Sequence, residues 1–189
     1  MKIGFIGTGV MGRGIINNLL QAHYEVVVFN RTKAHAQSVL DNGATWADSP
    51  KEIAEAADLV ITMVGYPKDV EEQYYGDNGL FAGSHAGQIF VDMTTSTPTL
   101  AEQLAIDGEK YDVKVLDAPV SGGDEAAYDS LQPIFDVISK AANRFGVAGR
   151  GQHTKMANQI MIAATMLGMS EMMVYAKAAD LDVAKVMAT

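Results

Sequence analysis

The 189-residue sequence predicts an α/β fold: a doubly wound, mainly parallel sheet followed by one long helix. Three observations carry this. Short apolar, mostly β-branched runs alternate with helix-like segments over the first two thirds, and continuous apolar runs suit strands covered on both faces. The stretch GFIGTGVMGRG follows the first run and opens the first helix, with glycines at Gly7, Gly9 and Gly12. From residue 154 to about 179 a proline-free segment, rich in Met and Ala, is apolar on nearly every side. That is the pattern of a helix buried all round.

The elements follow in order. Strands are expected at 3–6, 26–29, 59–64, 89–93 and 113–116, and helices at 12–22, 33–42, 50–57, 68–75 and 98–107. The third helix has a clear start: Ser49 as cap, Pro50 at the first helical position, and Glu52 completing a capping box. Thr97-Pro98 repeats the opening. Such alternation implies right-handed βαβ crossovers. Residues 125–139 then read as one helix and 143–147 as a short strand, before the glycine-rich GVAGRG. The long helix comes next, and 181–189 starts another that breaks off. The expected division is 1–152 for the sheet domain, and 153–189 for the long interdomain helix with the beginning of a further, all-α domain whose remainder is missing.

Composition narrows the function. The net charge is −9, which argues against a nucleic-acid partner. There is no cysteine, so thiolate metal sites and disulfides are excluded. The N-terminus has no secretory h-region, and the longest apolar stretch, 161–167, is too short to span a bilayer. A cytoplasmic protein without a membrane partner is expected. His23, His35 and His85 are scattered and suggest no metal site. His153 reads as a loop or orienting residue, and the methionines as packing.

The glycine motif lies after a strand, opens a helix and sits in a βαβ unit, the context that marks a Rossmann-type dinucleotide site. Gly7 permits the tight turn, Gly9 lets a pyrophosphate approach the backbone, and Gly12 lets helix and strand pack closely. Thr8, Val10 and Met11 complete the turn, and the helix N-terminus offers free N–H groups to phosphate. NAD-binding versions end the second strand in Asp or Glu. Here Asn30, Arg31 and Thr32 stand there instead. A carboxylate would repel a 2′-phosphate, whereas Arg31 can pair with one, and Lys33 adds a second cation. The expected cofactor is NADP(H), with NAD(H) weaker.

Three further stretches, VDMTTSTP at 91–98, DAPVSGG at 117–123 and GQHTKMANQ at 151–159, make the chain resemble the β-hydroxyacid dehydrogenase family. That family includes 3-hydroxyisobutyrate dehydrogenase, tartronate semialdehyde reductase and, more distantly, 6-phosphogluconate dehydrogenase. The resemblance implies hydride transfer between NADP(H) and a small β-hydroxy acid or its semialdehyde. It implies Lys155 as the catalytic lysine, Asn158 one turn on as a substrate contact, and Ser121, Gly122 and Gly123 as the segment holding the substrate carboxylate. Thr95 would lie near nicotinamide and substrate, and Val64 and Gly65 beside the cofactor. A homodimer or tetramer is implied as well.

The chemistry is consistent in its own right. Oxidising an alcohol by hydride loss needs a group to take the hydroxyl proton, and a lysine serves where burial or a nearby cation favours its neutral form. The start of a long helix supplies a positive end. Lys155 and Asn158 are three apart and share a face. Backbone N–H groups of a Ser-Gly-Gly turn can hold a carboxylate.

The chain also departs from the family pattern. SGGDEAAYDSLQP runs directly from the first Gly-Gly-Asp into a later helix. A strand-sized piece is absent near 123–125, as if two copies of the tripeptide had collapsed into one. Two alternatives stand beside the dehydrogenase: an imine reductase, a family that shares the NRT ending but generally lacks the lysine, and a non-catalytic NADP-binding fragment.

Overall fold

The computed structural model describes residues 1–118, 122–139 and 143–188. They divide into two compact units, Met1–Thr154 and Lys155–Thr189. The first unit holds one six-stranded sheet: β1 (Lys2–Ile6), β2 (Glu25–Phe29), β3 (Thr45–Trp46), β4 (Leu59–Thr62), β5 (Ile89–Asp92) and β6 (Lys114–Asp117). The order is β3-β2-β1-β4-β5-β6, and every pairing is parallel. This is the doubly wound order, with its switch point between β1 and β4.

Alternate side chains of each strand serve opposite faces. Ile3, Phe5, Val26, Val28, Leu59, Ile61, Val91 and Leu116 pack with Ile15, Ile16 and Leu19 of α1 (Val10–Gln21) and with Ile134 and Phe135 of α8 (Gln132–Ile138). Ile6, Val27, Val60, Phe90 and Val115 face the other way. They pack with Ile53 of α3 (Pro50–Ala56), Val70 and Tyr74 of α4 (Pro67–Tyr74), Leu80 of α5 (Leu80–Gly83), and Leu100 and Leu104 of α6 (Pro98–Glu109). Both faces are apolar because both are covered, which is why the strands read as continuous apolar runs.

The helix starts behave largely as their residues dictate. Ser49 Oγ accepts from Glu52 N at 3.2 Å, and Thr97 Oγ1 from Leu100 N at 3.2 Å. The capping box at Ser49 is only half made, since the Glu52 carboxylate accepts from Asp48 N at 2.8 Å instead. Segment 33–42 is not one helix but a 3₁₀ turn, Lys33–Ala36, and a short α2, Gln37–Asp41. Segment 125–139 is likewise two helices, α7 (Glu125–Ser130) and α8. Leu131 between them sits at φ −96°, ψ 1°, and Pro133 lacks the N–H that would bond back to residue 129.

The expected strand at 143–147 does not form. Gly146 has φ +121°, outside the extended region, and its carbonyl accepts from Gly123 N at 2.8 Å. At 122–124 the chain lies against the end of β6 and starts α7. Asp117 N donates to Gly122 O at 3.1 Å, Gly122 N to Asp117 O at 2.7 Å, and Asp124 caps α7 through Ala127 N at 2.9 Å. Among the described residues β6 is therefore the last strand of the sheet.

The long helix α9 spans Arg150–Ala178 and is followed by α10, Val183–Met187. Its composition suits a helix buried all round, but this chain holds little that could cover it, and many of its apolar side chains are uncovered. Ile160, Met161, Met166, Leu167, Val174 and Tyr175 are exposed. By length and composition alone α9 is apolar enough to cross a membrane.

Candidate functional site

The first unit has an open cleft of about 440 Å³ at the switch point, beyond the C-terminal ends of β1 and β4. It brings together most of the predicted cofactor residues: Gly7, Gly9, Val10, Met11, Gly12, Asn30, Arg31, Thr32, Val64 and Gly65 all line it. Thr8 and Thr95 do not. Thr8 is buried in the turn, its N–H donating to Asn30 Oδ1 at 3.1 Å. Thr95 lies exposed in the loop after β5, between buried Thr94 and Ser96.

The three glycines differ in what surrounds them. Gly7 has φ +102°, and a β-carbon there would strike Met63 O. A β-carbon on Gly12 would overlap the carbonyl oxygen of Gly7 and lie 3.2 Å from Phe5 Cε1. These two are required by the fold. Gly9 has nothing within 4 Å of that position. It caps α1, and no acidic residue stands in the helix's first turn. The empty space at Gly9, the open cleft and the free N–H groups of a helix start together fit an anionic dinucleotide backbone.

The end of β2 is built around Asn30. Its Oδ1 accepts from Thr8 N, and its Nδ2 donates to Thr32 O at 2.9 Å. Arg31 beside it is 83% exposed and lies 3.5 Å from Asp69 Oδ1. Lys33 does not join Arg31: its ammonium sits 4.8 Å over the Trp46 ring, and it does not line the cleft. His35, Met63, Asp69 and Gln73 do line it, and sequence reasoning passed over all four. For Asp69 a signal existed. It stands two residues after Pro67, where an acidic side chain closes a helix start.

A second cluster lies along the ends of β5 and β6 and was not foreseen. Thr62 Oγ1 and Thr94 N donate to Asp92 Oδ1 at 2.8 and 3.1 Å, and Val64 N donates to Thr94 Oγ1 at 3.0 Å. Gln152 is 1% exposed. Its amide donates to Thr94 O at 2.8 Å and accepts from Ser96 N at 2.8 Å. Its own N–H, and that of Gly149, donate to the Asp117 carboxylate at 2.9 and 3.0 Å. Burial pushes Asp92 up to about 6, against the hydrogen bonds from Thr94 and Thr62. Burial also raises Asp117.

The predicted substrate segment fares differently. Ser121 lies outside the described residues. Gly122 and Gly123 cannot offer free N–H groups, since these donate to Asp117 O and Gly146 O; both glycines pack against the end of β6, with Leu116 Cα 3.2 Å from a β-carbon built on Gly123. Lys155 and Asn158 lie on one face of α9 in the second unit, Lys155 half-buried and Asn158 exposed. The helix begins at Arg150 rather than at 154. Lys155 thus stands in its second turn, where the field of the helix end has largely faded. Among the described residues no cluster of three His, Asp or Glu suits a metal ion.

Comparison with known proteins agrees with this architecture. Residues 2–132 match the model of the NAD-binding domain of 6-phosphogluconate dehydrogenase. Residues 149–189 match that of the NAD-binding domain of NADP-dependent 3-hydroxyisobutyrate dehydrogenase. An uncharacterized oxidoreductase of Bacillus subtilis is 44% identical over 195 residues, covering 95% of this chain and 68% of its own. A probable mitochondrial 3-hydroxyisobutyrate dehydrogenase-like protein of Arabidopsis thaliana is 46% identical over 97% of this chain and 60% of its own. The chain thus spans roughly two thirds of the length of these relatives. The 3-hydroxyisobutyrate dehydrogenase of Mycobacterium tuberculosis, solved with L-serine, superposes with a TM-score of 0.86 at 26% identity, over 96% of this chain and 66% of that one. An imine reductase of Myxococcus stipitatus shares the fold, with a TM-score of 0.91 at 21% identity. That imine reductase was solved with NADP⁺, and a variant of it with NAD⁺. With a parallel six-stranded sheet, a glycine cleft at its switch point and family models matching both parts of the sequence, this chain belongs to the β-hydroxyacid dehydrogenase family.

Proposed function

We propose that the chain is the cofactor-binding part of an NADP(H)-dependent oxidoreductase acting on a small β-hydroxy acid or its semialdehyde. The observation that carries this is the cleft, which gathers Gly7, Gly9, Gly12, Asn30, Arg31 and Thr32 at one switch point. Gly9 and the first N–H groups of α1 would hold the pyrophosphate. Arg31 and Thr32 would hold the 2′-phosphate that distinguishes NADP(H) from NAD(H), the weaker ligand. When bound, the cofactor supplies or accepts the hydride.

Lys155 would move the proton of the substrate hydroxyl, taking it on oxidation and returning it on reduction. Asn158, three residues on, presents an amide to the same substrate from the same helical face. Thr95 and Ser121 supply hydroxyl groups for its carboxylate or hydroxyl oxygen. The exposed apolar side chains of α9 support a homo-oligomer, dimer or tetramer, in which protein and not lipid covers that helix. The match of 149–189 to a dehydrogenase family model favours this over a membrane span. We further propose a cytoplasmic setting.

The lysine separates this proposal from the imine-reductase alternative. In protein that turns over a hydroxy acid, Lys155→Ala should abolish turnover and leave NADPH binding nearly intact. Reduction of a cyclic imine with no action on hydroxy acids would instead favour the imine reductase. Tight NADPH binding with no turnover of either class would leave a binding module.

A further inference from the structure

We propose that Asp69 sets how strongly this cleft discriminates NADPH from NADH, by keeping a fixed negative charge beside Arg31; the inference rests on the NADP(H) assignment above. Asp69 stands in the first turn of α4, and its Oδ2 accepts from Tyr66 N at 3.0 Å. That bond anchors the carboxylate at the helix start. Its other oxygen lies 3.5 Å from Arg31 Nη1. Exposure decides which partner yields: the Arg31 side chain is 83% exposed, Asp69 only 24%. The guanidinium is the movable member and the carboxylate the fixed one. Both line the same cleft, with Thr32 and His35.

A phosphate pairing with Arg31 therefore meets a guanidinium that already has an anionic neighbour. It must share Arg31 with Asp69 or draw it away, and it feels the repulsion of a like charge. NADH carries a neutral hydroxyl in place of that phosphate and feels neither effect. An exposed ion pair orients its arginine only weakly, so repulsion outweighs any benefit of holding Arg31 ready. Asp69 thus acts as a built-in counter-ion that softens cofactor selectivity.

The test is Asp69→Asn, which keeps an oxygen for Tyr66 N and removes the charge. Asp69→Ser is a second neutral variant, and Asp69→Glu keeps the charge. Dissociation constants for NADPH and NADH are read from nicotinamide fluorescence at low and high salt, on protein shown to be folded by thermal unfolding. The neutral variants should bind NADPH about three- to tenfold more tightly at low salt, as expected for like charges near a protein surface. NADH should change less than about twofold, and the gain should shrink as salt screens it. Asp69→Glu should behave as the parent does. Unchanged or weaker NADPH binding in the folded neutral variants would overturn the inference, as would an equal gain for both cofactors. If the unmutated protein binds NADPH and NADH equally, the NADP(H) assignment itself fails; if it prefers NADPH and the neutral variants do not respond, only the role of Asp69 does.

Discussion

Two glycines of one motif should fail in opposite ways when each gains a methyl group. At Gly12 the added β-carbon overlaps the Gly7 carbonyl oxygen and lies 3.1 Å from Gly7 C and 3.2 Å from Phe5 Cε1. The obstacle is backbone, not the end of a flexible side chain, so α1 must move away from β1. Overpacking of this kind costs about 1–3 kcal/mol, and the better helix propensity of alanine returns at most about 1 kcal/mol. A net loss of about 1 kcal/mol should lower Tm by roughly 2–4 °C for a chain of this size. At Gly9 the methyl meets no protein atom within 4 Å, and replacing a glycine cap by alanine should cost under about 1 kcal/mol. The methyl would stand in the cleft, where phosphate must approach the helix start. Gly9→Ala should therefore keep its Tm within a few degrees and lose about tenfold or more in NADPH affinity, at least about 1.4 kcal/mol. Thermal unfolding and fluorescence titration on both variants provide the measurement. Parent-like NADPH binding by Gly9→Ala would refute the idea that the turn cradles a pyrophosphate. A fully stable Gly12→Ala would refute the packing account.

Arg31→Ala should remove most of the preference for NADPH over NADH. A charge-assisted contact is worth about 1.5–3 kcal/mol, less the small cost of leaving an exposed ion pair; equal loss for both cofactors in a binding titration would contradict it. Asp92 is buried with its carboxyl raised to about 6, so the folded state holds its proton more tightly than the unfolded state does. Its contribution is fully present below about pH 4 and is lost as pH rises through about 6, with a magnitude on the order of 3 kcal/mol. Denaturant unfolding between pH 4 and 7 should show this decline, and Asp92→Asn, which keeps an acceptor for Thr62 and Thr94, should flatten it. The exposed apolar side chains of α9 should drive concentration-dependent self-association, visible by light scattering; replacing Met166 and Leu167 by Gln should reduce it, whereas a parent chain that stays monomeric at every concentration would contradict it.

Much of the architecture was legible because it rests on local rules. Strands β1, β2, β4, β5 and β6 lie within two residues of the apolar runs that predict them, and the motif at Gly7–Gly12 lies where strand meets helix. Short elements escaped. β3 is two residues long and α5 a single turn, too short for any periodicity to register. The divided helix at Leu131 turned on one proline whose effect was outweighed by the apolar pattern around it. Site residues on the glycine turn and the β2 end were readable from their types and spacing. His35 and Gln152 were not, because their importance comes from what the fold brings beside them; for Asp69 the sequence marks a helix start but not the arginine beside it. Gln152 bonds across more than fifty residues to Thr94 and Ser96, a relation that sequence spacing does not encode.

Asn30 has a consequence for how cofactor choice can change over time. Position 30 is where a single acidic replacement would ordinarily turn an NADP-preferring site toward NAD. Here the side chain also works as a brace, accepting from Thr8 N on one strand-end loop and donating to Thr32 O on its own. An aspartate can make the first bond but not the second, and it would set a carboxylate oxygen against the Thr32 carbonyl. The change that redirects the cofactor is thus the same change that loosens the loop presenting it. If the site takes NADP(H) as proposed, a shift toward NAD by that replacement would carry a structural cost at Thr32, which a compensating substitution there would relieve.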